Sequence, residues 1–158
     1  MESSVGEELA DGLYRIERSG KEKSTLLPLA PNERIITFNK AFLDSTEREG
    51  EFLVVRVDEF TPLELAQMPR TEDQIDRRKK LFLTMTASAK QQLKEFTSNN
   101  LNSRAAIVVN QEALTQHKIR MVVEDGALQI TRCTDNACKY LYVELKDKVF
   151  YPNAKRQP

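Results

Sequence analysis

Residues 81–109 read LFLTMTASAKQQLKEFTSNNLNSRAAIVV, and this stretch decides the fold class of the chain. Two apolar runs that are typical of strands stand at its ends, from Leu81 to Met85 and from Ala105 to Val109. Apolar side chains recur between them at helical spacing, at Ala89, Leu93 and Phe96. Thr86 can cap the helix with its hydroxyl, and Asn99-Asn100 ends the periodic pattern. The stretch therefore predicts a strand, a helix with one buried stripe, and a second strand.

Further short runs along the chain alternate in polarity or are rich in β-branched and aromatic residues, which is typical of strands. They are Leu13–Ile16, Arg34–Phe38, Phe52–Val57, Leu128–Arg132 and Lys139–Leu145. Gly126 lies just before the run Leu128–Arg132. Asn110-Gln111-Glu112 indicates a hairpin turn after the strand that ends at Val109. We expect Leu83, Ile107, Val109 and Ile130 to lie beneath the helix. The predicted fold is α+β, with one main helix packed on an antiparallel or mixed β-sheet and an N-terminal β-rich part.

The chain divides by composition into a core and polar segments. We expect flexible tails at residues 1–11 and 151–158, a β-rich part at 12–69, a charged connector at 70–80 and the α+β part at 81–150. The connector carries eight charged residues among eleven, so it is predicted to be a solvated linker or a short exposed helix. In the helical alternative, Thr71-Glu72-Asp73-Gln74 would form a capping box.

Charge and hydropathy exclude several classes of protein. The 158 residues contain 24 Lys and Arg and 24 Asp and Glu, so no net field attracts nucleic acid or an anionic membrane. No run reaches the roughly 20 apolar residues of a transmembrane helix, and Met1–Glu8 lacks the apolar segment of a signal peptide. Two interpretations of this N-terminus stay open: a native cytosolic start, or the loss of a signal or lipid-anchor segment upstream of Met1.

Cys133 and Cys138 are the two cysteines, and they flank a turn-rich tetrapeptide between two predicted strands. This placement allows a disulfide across the mouth of a hairpin, and two reduced structural thiols are the alternative. Zinc needs about four ligands, which two Cys and one His do not provide. The spacing of four residues also differs from that of a redox-active pair.

His117 is the only histidine, so any catalytic triad or dyad that needs an imidazole must use it. We expect an exposed polar residue on an edge strand, without a catalytic role, because local spacing places no serine or cysteine beside it. The five glycines are scattered and form no phosphate-binding loop. The sequence therefore predicts neither a catalytic residue nor a metal or cofactor site.

A set of residues from Met85 to Thr131 falls in the register of a known domain. The set comprises Met85-Thr86, Leu93, Thr97, Asn100, Ala105-Ala106-Ile107-Val108, Ile119 with Val123, and Gly126-Ala127-Leu128-Gln129-Ile130-Thr131. In this spacing the chain resembles the head part of the first large periplasmic domain of SecD, the accessory subunit of bacterial protein export. The resemblance implies an α+β fold and a periplasmic or cell-envelope location, where a Cys133–Cys138 disulfide would persist.

The leading functional hypothesis is a non-enzymatic envelope protein that binds another protein or a chain in transit, with an open sheet edge as the docking surface. One rival is a small hydrolase or transferase that uses His117 with acidic neighbours. Another is a purely structural domain of a larger lipoprotein. A cytoplasmic location is the alternative to the envelope.

Overall fold

The computed structural model describes residues 9–38, 52–73, 79–133 and 141–146. Within these ranges the fold is α+β, as predicted, with eight strands and one main helix. The elements are β1 (Gly12–Gly20), a 3₁₀ helix (Lys23–Leu26), β2 (Glu33–Thr37), β3 (Phe52–Pro62), β4 (Arg70–Asp73), β5 (Lys79–Thr84), α1 (Ala87–Asn99), β6 (Arg104–Val109), β7 (Glu112–Lys118) and β8 (Ala127–Cys133).

The strands form two antiparallel sheets. The larger has the order β2-β3-β1-β6-β7, and the smaller has the order β4-β5-β8. A parallel bridge between Phe38, just after β2, and Ala113 of β7 joins the two outer strands of the larger sheet. The larger sheet therefore curls toward a closed barrel, which reduces its exposed edge.

Strand β6 lies at the centre of the core because both of its faces are covered. Every residue from Ala105 to Val109 has 0% exposure. Ala105, Ile107 and Val109 belong to a hydrophobic cluster shared with the helix and the smaller sheet. Ala106 and Val108 belong to a second cluster, shared with β1, β2 and β3 inside the curl of the larger sheet. Burial on both faces explains why this run is continuously apolar instead of alternating.

The predicted helix is confirmed, together with its cap and its buried stripe. Thr86 Oγ1 accepts a hydrogen bond from Ala89 N at 3.2 Å, as expected of an N-cap. Ala89, Leu93 and Phe96 are at most 5% exposed. They share their cluster with the four residues expected beneath the helix: Leu83, Ile107, Val109 and Ile130.

The hairpin turn predicted at Asn110-Gln111-Glu112 is confirmed, but its loop has two residues, because Glu112 already pairs with Val109 in the sheet. Asn110 and Gln111 have φ angles of 53° and 71°, and both belong to the left-handed region that a type I′ turn requires. The Gln111 side chain accepts from Leu9 N and donates to Leu9 O, each at 2.8 Å. The turn thereby fixes the chain just before β1.

The connection from β1 to β2 is held by one guanidinium group. Arg18 Nη2 donates to the carbonyl oxygens of Leu26 at 2.6 Å and Pro28 at 3.0 Å. Arg18 also forms two hydrogen bonds to the Glu33 carboxylate, each of 3.1 Å. The bonds from Arg18 lower the pKa of Glu33 below its usual range.

Two elements differ from the sequence prediction. Arg70–Asp73 is strand β4 and is neither a linker nor a helix, so Thr71 does not cap a helix; Gln74 and the rest of the connector to residue 78 lie outside the described residues. Its side chains are exposed because β4 is an outer strand whose backbone pairs with β5. The predicted strand Lys139–Leu145 is also wrong over residues 141–145, because residues 141–146 are helical; residues 139 and 140 lie outside the described ones. Leu141 and Leu145 both enter the core beside α1, and their spacing of four residues suits a helix.

Truncation of Phe96 tests the position of the helix. Phe96→Ala should lower the free energy of unfolding by about 3 to 5 kcal/mol, because it opens a cavity in the cluster beneath α1. Lys94→Ala, an exposed position on the same helix, is the control and should change it by less than about 0.5 kcal/mol. Urea denaturation of both variants measures the difference. Equal losses in the two variants would mean that Phe96 does not anchor the helix.

Candidate functional site

His117 is partly buried on β7, which corrects the expectation of an exposed residue. Its Nε2 lies 2.9 Å from Thr115 Oγ1, two residues back on the same strand. Burial lowers the pKa of His117 to about 4, so the imidazole is neutral at neutral pH. A base with so low a pKa is a weak proton acceptor at neutral pH.

The histidine and threonine lie within the distance of a base and a nucleophile, but the threonine is buried. Thr115 is only 9% exposed, so a substrate has little access to its hydroxyl. In catalytic pairs a third group usually orients the base. Within the described part of the chain, the only hydrogen bond of the His117 ring is the one with Thr115.

The predicted cysteine pair falls at the edge of what is described. Cys133 is the last residue of β8, and Cys138 lies outside the described residues. The disulfide therefore stays a prediction. The segment that follows contains the helix at 141–146, so the expected second strand of the hairpin is absent over those residues.

The described residues contain neither a metal-binding cluster nor a membrane-spanning helix. They hold no cluster of three or more His, Cys, Asp or Glu side chains that could bind a metal ion. No described helix combines the length and the apolar character that crossing a bilayer demands.

A polar cluster that the sequence did not reveal connects the end of α1 to the larger sheet. Asn100 is 1% exposed, and its Nδ2 donates to Phe96 O at 2.8 Å and to Glu59 Oε2 at 3.3 Å. Its Oδ1 accepts from Arg15 Nη1 at 3.3 Å. These bonds satisfy the helix C-terminus, which gives Asn100 a structural role. Only the strand register brings the three side chains together, so no local pattern could have identified them.

Strands β4 and β8 are the two outer strands of the smaller sheet, whose order is β4-β5-β8. All four side chains of β4 are exposed, so we consider its edge as a candidate binding surface. The outer backbone groups of such a strand can pair with another extended chain. The larger sheet offers less edge, because the bridge between Phe38 and Ala113 joins its outer strands.

An aromatic ring and two cations lie on the solvent face beside this edge. Arg70 of β4 is paired across the strands with Phe82 of β5, and its guanidinium carbon lies 4.1 Å from the ring centre. Lys80 Nζ lies 5.7 Å from the same ring. Arg70 Nη1 also donates to Glu72 Oε2 at 2.6 Å. The stacking keeps Arg70 against the sheet, so its position is defined although it is exposed.

Comparison with known proteins gives a likeness of fold. No model of a protein family matches the chain, and no curated protein sequence matches it. One similar solved structure is described as the membrane component SecDF, which enhances protein export. The match has 17% identity and a TM-score of 0.49, and covers 87% of this chain and 63% of that one. A second is SecDF in a super-membrane-facing form, with 19% identity and a TM-score of 0.52, over 85% of this chain and 18% of that one.

The second match shows a SecD-like fold. This chain corresponds to less than two thirds of the length of either structure, so the likeness concerns one part of SecDF. The likeness extends over 85% of this chain, well beyond the stretch from Met85 to Thr131 on which the sequence resemblance rests. It therefore supports the fold and does not single out the head part of the periplasmic domain.

The pKa of His117 can be measured directly, because the chain has one histidine and hence one imidazole Hε1 resonance. We expect this resonance to titrate near pH 4, well below the ordinary value of 6.5. The unfolded chain then binds the proton first, so stability is complete above pH 6.5 and falls as the pH decreases toward 4. In His117→Gln the loss of stability between about pH 6.5 and 5 should be smaller. An Hε1 titration at the ordinary pKa would contradict the burial of the ring.

Proposed function

We propose that the chain is a non-enzymatic cell-envelope domain that binds another protein or a polypeptide in transit, in a process linked to protein export. The SecD-like fold supports the link, since SecDF is described as enhancing protein export. The proposed location is the periplasm or the cell envelope, and the proposed relationship is to the head of the SecD periplasmic domain.

The observation that carries the binding function is the open edge at β4. An extended peptide that pairs with this strand would gain main-chain hydrogen bonds whatever its sequence, which suits a domain that handles many unfolded chains. Three of the four residues of β4 are charged, and charged side chains on an edge strand disfavour edge-to-edge association. The edge is thus accessible to a flexible peptide without inviting self-association.

The side chains beside the edge suggest which peptides bind best. A strand added next to β4 would place alternate side chains on the solvent face, near Arg70 and the Phe82 ring. Acidic side chains would pair with the guanidinium, and aromatic ones would extend the stack on the ring. We therefore propose a preference for extended segments that carry acidic or aromatic residues at alternate positions.

The alternative functions require different surfaces of the protein. A hydrolase or transferase would act through His117, whose contact with Thr115 is the only candidate dyad that the described residues bring together. The lowered pKa of His117 and the burial of Thr115 favour the binding function over this rival. A purely structural domain of a lipoprotein would leave the β4 edge without a ligand.

Site-specific photo-crosslinking tests the binding edge. A benzoylphenylalanine at Thr71, in β4, should crosslink to a reduced and carboxymethylated polypeptide that stays unfolded. The same probe at Ser88, exposed on α1, is the control and should crosslink at background level. A further sample with Arg70→Ala should crosslink less to peptides rich in acidic residues. Equal crosslinking at Thr71 and Ser88 would contradict the proposal.

A further inference from the structure

Two exposed apolar side chains protrude from adjacent loops at the open end of the β6–β7 hairpin. Leu101, just after α1, is 44% exposed, and Met121, just after β7, is 71% exposed. The loops are joined by a hydrogen bond from Asn102 N to Ile119 O of 2.7 Å. Beyond Met121 the chain returns to the helix, where Val123 N donates to Thr97 Oγ1 at 3.0 Å. Leu101 and Met121 therefore form the tip of a fixed turn.

Three exposed cations surround this tip. Arg104 and Lys118 face each other directly across β6 and β7, and Arg120 precedes Met121. None of the three has an ion pair or a side-chain hydrogen bond to any residue that the structure describes. Like charges directly opposite each other destabilise a strand pair. The repulsion between Arg104 and Lys118 therefore lowers the stability of the fold, and no described acidic side chain offsets it. This points to an anionic partner.

We infer that the Leu101–Met121 tip, with its three cations, docks on the surface of a bilayer that contains anionic lipids. The two apolar side chains would enter the interface, and the cations would lie at the level of the phosphate groups. The net charge of the whole chain does not indicate this binding surface, because a local cluster of charges acts only within about a Debye length.

A bilayer fits the tip better than a soluble acidic peptide does. Both apolar side chains are exposed, and they lie on loops that the bond from Asn102 N to Ile119 O holds together. A peptide that binds by pairing with the backbone needs an open strand edge, and one that binds as a helix needs a groove. The loops at 101–103 and 119–121 are instead bonded to each other. This inference is independent of the β4 edge, so either one can fail alone.

Vesicle sedimentation tests the inference on the whole chain. Wild type should bind vesicles of phosphatidylcholine with phosphatidylglycerol and should not bind pure phosphatidylcholine. Arg120→Gln should lower the partition coefficient roughly fivefold, as expected for the loss of one cation at the surface. Met121→Ser should lower it roughly tenfold, through the loss of its apolar contact.

Two matched variants control for charge and hydrophobicity elsewhere on the protein. Lys90→Gln removes one exposed cation from α1, and Val143→Ser removes one exposed apolar side chain. Both should bind as wild type does, and circular dichroism should show the same fold for all variants. Failure of wild type to bind anionic vesicles, or an equal loss in Lys90→Gln and Arg120→Gln, would overturn the inference. In the absence of vesicle binding, a soluble peptide of alternating Glu and Leu whose binding is weakened by Arg120→Gln and not by Arg70→Ala would also overturn it and assign the tip to a protein partner.

Discussion

The double-sided burial of β6 is the constraint on which the rest of the structure depends. A strand with no exposed side chain from Ala105 to Val109 needs a covering layer on each face. One layer consists of α1, the smaller sheet and the helix at 141–146, and the other is the inside of the curled larger sheet. Removing either layer would expose a continuous apolar surface to water. The helix thus helps to cover one face of β6, and the curl of the larger sheet covers the other.

The same constraint determines which surfaces are available for binding. Because the larger sheet curls until Phe38 meets Ala113, much of its edge is used within the fold. The smaller sheet covers the core with β5 at its centre, and β4 is left as an outer strand with charged, exposed side chains. The SecD-like fold of this chain combines a closely packed core with a smaller sheet whose outer strands are β4 and β8, and the side chains of β4 are exposed. That combination suits a domain that holds an extended chain without changing its own structure.

The sequence predicted the parts in which local signals and burial agree. The helix from Thr86 to Asn99 has a cap and a clear apolar stripe, and the β6–β7 turn has an asparagine at a left-handed position. The same local signals failed for β4, because all four of its side chains are exposed and none is apolar. The segment Lys139–Leu145 alternates in polarity with the period of two residues that is typical of a strand. The burial of Leu141 and Leu145 instead follows the period of a helix.

The candidate sites were less predictable than the fold, because they depend on strand register. Arg70 and Phe82 are twelve positions apart, and the pairing of β4 with β5 brings them into contact. Arg104 and Lys118 likewise become neighbours through the hairpin. His117 could be found as the only histidine, but its partial burial depends on what packs against β7. A single sequence records which residue types are present and does not record which strands lie side by side.

The central claim is that a core strand buried on both faces coexists with an open edge. Hydrogen exchange of the backbone amides tests this claim most directly. The account predicts that the amides of Ala105 to Val109 exchange only through global unfolding. It also predicts that β4 contains amides that exchange orders of magnitude faster, since its outer side faces water. The account would be contradicted if β6 exchanged as fast as the loops, or if every amide of β4 were as protected as those of β6.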